Sequence, residues 1–107
     1  MRILVVAETD GRTISEKTLP AIAFAQKVAP SDFHLLAIGS GVENAEAFTG
    51  YGAQAVWIAD DSRLAKPLAE RYAPVIAHLA RQQQVDLIVG TTTTFSRDTL
   101  ARTAGLL

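Results

Sequence analysis

Apolar residues along this chain come in two alternating styles. Short apolar runs of strand length occur at Ile3-Leu4-Val5-Val6-Ala7, at Phe33 with Leu35-Leu36-Ala37-Ile38, at Ala55-Val56-Trp57-Ile58-Ala59, and at 85–89. Between them lie segments whose apolar positions recur at helical spacing, a pattern that predicts repeated strand–helix units. The first run has no polar interruption, as expected of a central strand buried on both faces. A helix is predicted from about Ser15, with Ser15 as cap and Leu19, Ile22, Ala23, Ala25 and Gln26 turned toward the sheet, Pro20 falling early enough to be tolerated. A short helix is predicted over 42–49, ended by Gly50-Tyr51-Gly52.

The clearest amphipathic segment runs over 64–84, where Leu68, Ala69, Tyr72, Val75, Ile76, Leu79 and Ala80 share one face. Pro74 would break a helix interior, so the regular helix is predicted to begin near Glu70, with Pro74 in its first turn. A last helix is predicted over 97–107, with Ser96 or Thr94 as its cap. Its end, Ala104-Gly105-Leu106-Leu107, is apolar and uncapped and reads as a cut edge.

Right-handed crossovers then give a three-layer α/β/α sandwich with a parallel sheet, Rossmann-like in architecture. With strand order 3-2-1-4 the direction of winding reverses between the first and fourth strands. Open sheets of this kind bind ligands at that reversal, outside the carboxyl ends of the strands. Two loops flank it, 8–12 and 91–97.

Composition narrows the functions open to such a domain. The chain has 107 residues, 49% hydrophobic and 20% charged, which is one globular domain. There is no cysteine, so disulfides, thiol catalysis and thiolate metal sites are excluded. A formal charge of −1, with basic residues scattered, gives no electrostatic case for nucleic acid or an anionic membrane. The first strand begins at Ile3, which leaves no room before it for a targeting segment, and a soluble cytoplasmic chain is expected.

The chemistry available at the two loops is limited. Thr91, Thr92, Thr93 and Thr94, with Ser96, offer hydroxyls and backbone amides at a helix start, where phosphate can bind, yet the same residues cap turns in any α/β domain. Arg97 is available to an anion or a partner carboxylate, or is solvated in a first turn. Glu8 and Asp10 are an acid pair with no third metal ligand near in sequence, and structural turn roles suit them better. His34 and His78 lack a serine and acid arrangement and are expected on the surface. Neither G-x-G-x-x-G nor G-x-x-x-x-G-K-[ST] is present. A hydrolase or transferase therefore has no residues to stand on, and no catalytic residue or metal site is expected.

Three stretches carry a family resemblance. Ile3 to Glu8, the central Gly52-Ala53-Gln54-Ala55-Val56-Trp57-Ile58-Ala59-Asp60-Asp61, and Thr93-Thr94-Phe95-Ser96-Arg97-Asp98 with Leu100-Ala101-Arg102 resemble the N-terminal domain of electron transfer flavoprotein alpha subunits. Departures are Thr9 for a common histidine, Ser96 for a usual glycine and Ala101 for a frequent proline. The resemblance implies an adenine-nucleotide-hydrolase-like fold acting as a scaffold and subunit-interaction domain, not an enzyme, with no cofactor-binding residue expected in this chain; Thr93, Thr94, Ser96 and Arg97 stand only as switch-point candidates from their position at the crevice.

It further implies a heterodimeric electron carrier of the kind serving fatty acid β-oxidation. Its partners are a beta subunit, dehydrogenase donors and a quinone oxidoreductase acceptor, with no nucleic acid and no membrane insertion. FAD would be held by a C-terminal domain absent from this chain, which makes residues 1–107 an N-terminal domain incomplete at its C-terminal end. The alternative is a free-standing adenine-nucleotide-binding domain of universal-stress type, using Glu8 to Asp10 and Thr91 to Arg97 around the nucleotide.

Overall fold

A computed structural model describes residues 1–9, 13–42 and 48–107. Strands β1 (Ile3–Ala7), β2 (Phe33–Gly39), β3 (Ala55–Asp60) and β4 (Leu87–Val89) form one sheet in the order β3-β2-β1-β4. Every pairing is parallel, with Ile3 opposite both Phe33 and Leu87, and His34 opposite Ala55. The helices are α1 (Leu19–Val28), α2 (Ala69–Gln82) and α3 (Thr94–Leu106). Asp10 and most of the helix expected over 42–49 lie outside the described residues.

Alternation along the central strands divides the core into two layers. Ile3, Val5 and Ala7 of β1, with Phe33, Leu35 and Ala37 of β2, pack with Ile22 and Ala25 of α1. Leu4, Leu36 and Ile38 face the other way, onto Ile76 and Leu79 of α2. The sheet is thus covered on both sides, as its unbroken apolar runs require. It is an α/β/α sandwich.

Several helix boundaries differ from expectation, each for a local reason. Ser15 does cap a helical turn, its hydroxyl accepting from the Lys17 amide at 3.3 Å, but that turn is a 3-10 turn over Glu16–Thr18. Three residues wound at 120° rather than 100° advance the helix by about 60° before α1 begins. Ala21, Ile22 and Ala25 are therefore buried, whereas Leu19, Ala23 and Gln26, expected toward the sheet, are exposed. The α2 helix starts at Ala69, so Pro74 lies in its second turn and not its first. Pro74 is on the exposed side, where the Glu70 carbonyl that loses its bond can meet water.

At the far end of the fourth run only Leu87–Val89 pair as a strand. The Val85 amide instead bonds Ala80 O at 2.9 Å, which closes the end of α2. The end of α3 is not uncapped: Arg81 donates from its guanidinium to the Leu106 carbonyl.

Arg2 ties the amino ends of three strands together. Its guanidinium donates to Asp32 Oδ1 at 3.0 Å and Gln83 O at 2.6 Å, and its amide donates to Asp86 Oδ2 at 2.8 Å. At the same end of the sheet His34 corrects the expectation of a surface residue, being only 4% exposed. Its Nδ1 accepts the Trp57 indole N–H at 3.0 Å, so the neutral ring carries its proton on Nε2. His78, by contrast, is exposed on α2 as expected.

Burial holds the His34 pKa below the ordinary 6.5, the Gln54 side chain acting in the opposite direction. A second proton would also evict the indole N–H from Nδ1. Since the unfolded chain takes that proton more readily than the folded one, the stability that His34 contributes is intact above pH 6.5 and is lost as pH falls below it. The urea midpoint should fall between pH 7.5 and 5.5. The fall should be smaller in His34→Gln, which offers the indole an acceptor but does not titrate, and equal slopes in the two proteins would refute this account.

Candidate functional site

The reversal of winding falls between β1 and β4, where the two flanking loops meet. Glu8 leaves the end of β1 and reaches the threonine turn that follows β4. Thr91 Oγ1 donates to Glu8 Oε1 at 2.6 Å, and Thr93 Oγ1 donates to the same oxygen at 2.5 Å. The backbone of Glu8 is held as well: its amide donates to the buried Thr18 hydroxyl at 3.0 Å. One side chain thus spans 85 residues of sequence and closes the crevice between the loops.

Thr93 is the N-cap of α3, with extended backbone and its hydroxyl accepting from the Ser96 amide at 3.1 Å. Neither cap expected from the sequence is used, and the helix starts one turn earlier than predicted. Ser96 is 5% exposed and sits inside the first turn, while Thr94 is the first helical residue and exposed. Arg97 is exposed too, its amide bonded to Thr93 O at 3.0 Å. Of the four crevice candidates, only Thr93 and Ser96 face inward here, and both serve the helix start.

Gly90 makes this approach possible. A Cβ placed there would come 2.7 Å from Ser96 Oγ and 2.9 Å from Leu100 Cδ1, inside contact distance. Below the threonines α3 turns a face of Ser96, Thr99 and Thr103 inward. The threonine hydroxyls donate one turn back, Thr99 to Phe95 O at 2.7 Å and Thr103 to Thr99 O at 2.8 Å. A cleft of about 380 Å³ remains between the end of β1, α2 and α3, lined by Glu8, Thr93, Ser96, Tyr72, Phe95 and Leu100 among others. Tyr72 and Phe95 meet edge to face across it, centroids 5.4 Å apart.

The acidic turn after β3 is likewise committed to structure. Asp60 Oδ1 accepts from the Gly41 amide at 2.7 Å. Asp61 caps the 3-10 turn Ser62–Leu64, and its paired Arg63 guanidinium holds its pKa down at about 2. Among the described residues no group of three or more His, Cys, Asp or Glu could hold a metal ion, and no helix is long and apolar enough to cross a membrane.

The electron transfer flavoprotein domain model matches residues 3–107, almost the whole chain. The chain belongs to the electron transfer flavoprotein domain family. It is also 34% identical, over a 109-residue alignment covering all of it, to the protein named electron transfer flavoprotein subunit alpha of Pseudomonas aeruginosa. It spans 34% of that relative's length.

Membership of a flavoprotein family directs attention to what a pyrophosphate would meet at this crevice. A pyrophosphate at the start of α3 needs free amides and no opposing charge. Here the Ser96 amide is already capped by Thr93, and the Glu8 carboxylate stands where negative charge would enter. Sequence reasoning saw the two loops but not their joining, because a contact between residues 8 and 93 has no local signature.

Two substitutions test this construction. Thr93→Ala removes both the cap and one donor to Glu8 and should cost about 1–2 kcal/mol in urea unfolding, whereas Thr93→Ser should recover most of it. Gly90→Ala forces overpacking against Ser96 and Leu100 and should cost about 1–3 kcal/mol. Unchanged unfolding midpoints would show that the crevice is not held in this way.

Proposed function

We propose that this chain is the N-terminal scaffold and subunit-interaction domain of an electron transfer flavoprotein alpha subunit. It would be one part of a cytoplasmic, heterodimeric, FAD-containing electron carrier that accepts electrons from dehydrogenases. In this reading the FAD is held by a C-terminal domain, the beta subunit is the immediate partner, and a quinone oxidoreductase is the downstream acceptor. Residues 1–107 contribute no catalytic group and no flavin ligand.

The observation that carries the reading is the contrast between a crevice fronted by a carboxylate and an apolar outer flank. Phe24 and Val28 of α1 are 44% and 47% exposed, and Leu87 of β4 is 36% exposed. Gln26 of α1 donates to Tyr51 O, ahead of β3. Phe24 and Val28 project about 160° around the helix from Gln26. They therefore lie on the β4 side, where Leu87 and Val89 share the α1 face of the sheet by strand alternation. Clustered apolar groups of this kind mark contact surfaces.

Co-expression with an electron transfer flavoprotein beta subunit should give a complex that co-elutes on size exclusion. A Phe24→Lys/Leu87→Lys double variant, with unchanged circular dichroism, should not co-elute. The chain purified alone should carry no flavin absorbance, and calorimetric titration with AMP or ATP should show no micromolar binding. Micromolar nucleotide binding would instead establish the free-standing adenine-nucleotide domain, and a yellow purified chain would overturn the assignment of flavin to another domain.

A further inference from the structure

The cleft beside Glu8 has a chemistry that neither flavin nor nucleotide explains. Its walls include the side chains of Val6, Ile38, Pro67 and Leu100, together with the aromatic pair Tyr72 and Phe95. Among the described residues no lysine, arginine or histidine lines it, and Glu8 is the one carboxylate. The hydroxyls bordering it are largely engaged: Thr93 with Glu8 and Ser96, and Thr99 with the Phe95 carbonyl. Both threonine donors to Glu8 reach Oε1, and Oε2 accepts no hydrogen bond from the described residues.

We propose that this cleft is a binding site for an organic cation, a guanidinium or ammonium group carried on a short apolar stem. Three features act together. A carboxylate with one oxygen engaged and one open, half withdrawn from water, gains most from a cationic donor, because charge-assisted hydrogen bonds are the stronger kind. Where a ring of Tyr72 or Phe95 meets the bound group face-on, its negative face favours the same charge. The aliphatic walls bury the stem. An anion meets repulsion from Glu8. A neutral alcohol gains only the burial of its stem. The volume of about 380 Å³ accommodates a group the size of an arginine or lysine side chain, or a free amine of similar size. The site stands whether or not the chain joins a beta subunit.

The test is a titration of the purified chain with n-butylguanidinium, followed by NMR through the Leu100 methyls and the Tyr72 and Phe95 rings. Saturable shifts with a dissociation constant on the order of 1 mM are expected for so small a probe. n-Pentanol and AMP, matched controls of neutral and negative charge, should bind at least tenfold more weakly. Glu8→Gln keeps an oxygen for Thr91 and Thr93 while removing the charge, and should weaken n-butylguanidinium at least tenfold. Should that variant fold poorly, Phe95→Leu leaves the carboxylate in place and should still weaken the cation more than the alcohol. An arginine-containing tripeptide amide run beside the free probe distinguishes the two sources. Tighter binding of the peptide points to a partner side chain, and tighter binding of the free cation to a small molecule. The proposal is overturned by absence of saturation at 50 mM probe, by equal affinity for n-pentanol, by tighter binding of AMP, or by an unaltered affinity in Glu8→Gln.

Discussion

A single carboxylate oxygen governs the carboxyl edge of this sheet. At the reversal of winding the flanking helices diverge to opposite faces, and the loops from β1 and β4 are left without a common neighbour. Glu8 Oε1 supplies one by accepting from Thr91 and Thr93 together. Thr93 passes the tie on to the Ser96 amide, so the end of β1 and the first turn of α3 become parts of one hydrogen-bonded unit. Each group in it is used in a balanced way. The threonine hydroxyls donate to Glu8, and the Thr93 oxygen keeps a lone pair for the helix amide. A ligand phosphate would need the same amide and would meet the carboxylate. At the Ser96 amide a structural role therefore holds an atom that an anion would use.

The composition of α3 follows from how close it must come. Gly90 lets the end of β4 pass directly under Ser96 and Leu100. The inward face of α3 is built from Ser96, Thr99 and Thr103 in place of large aliphatics. Buried hydroxyls are costly unless bonded, and here the helix's own carbonyls meet that need. This explains why α3 looks weakly amphipathic although it is well seated. The same economy of side-chain size leaves room for the cleft beside Tyr72 and Phe95, since larger residues at 96 and 99 would fill it.

Much of the architecture was readable from local pattern, and the exceptions share a cause. The unbroken run Ile3–Ala7 announced a strand buried on both faces, and with strand order 3-2-1-4 the crevice lies between the loops that do border it. The helix starts were less readable. A 3-10 turn shifts the phase of the α1 apolar pattern, and the cap of α3 is selected by a carboxylate more than eighty residues away. His34 was hidden for a related reason. A histidine in an apolar run looks out of place until its diagonal neighbour across the β2–β3 pairing, Trp57, is seen to provide the donor it accepts. Long-range partners decide such residues, and spacing in one sequence does not register them.

The two ends of the sheet also divide the electrostatic work. At the amino end Arg2 gathers Asp32, Asp86 and the Gln83 carbonyl; its one ion pair, with Asp32, contributes little in so wet a setting, but the three contacts together hold the register of three strands. At the carboxyl end of β1 the side-chain partners of the Glu8 carboxylate among the described residues are hydroxyls. A fold of this type ordinarily presents helix amides to anions at that edge. Here the carboxylate of Glu8 stands beside that helix start, and Phe24, Val28 and Leu87 are exposed on the α1 flank. Any partner that exploits both must bring hydrophobic side chains to Phe24, Val28 and Leu87 and positive charge to Glu8. Hydrophobic side chains and positive charge complement these two features, whereas the charge of a phosphate opposes the carboxylate.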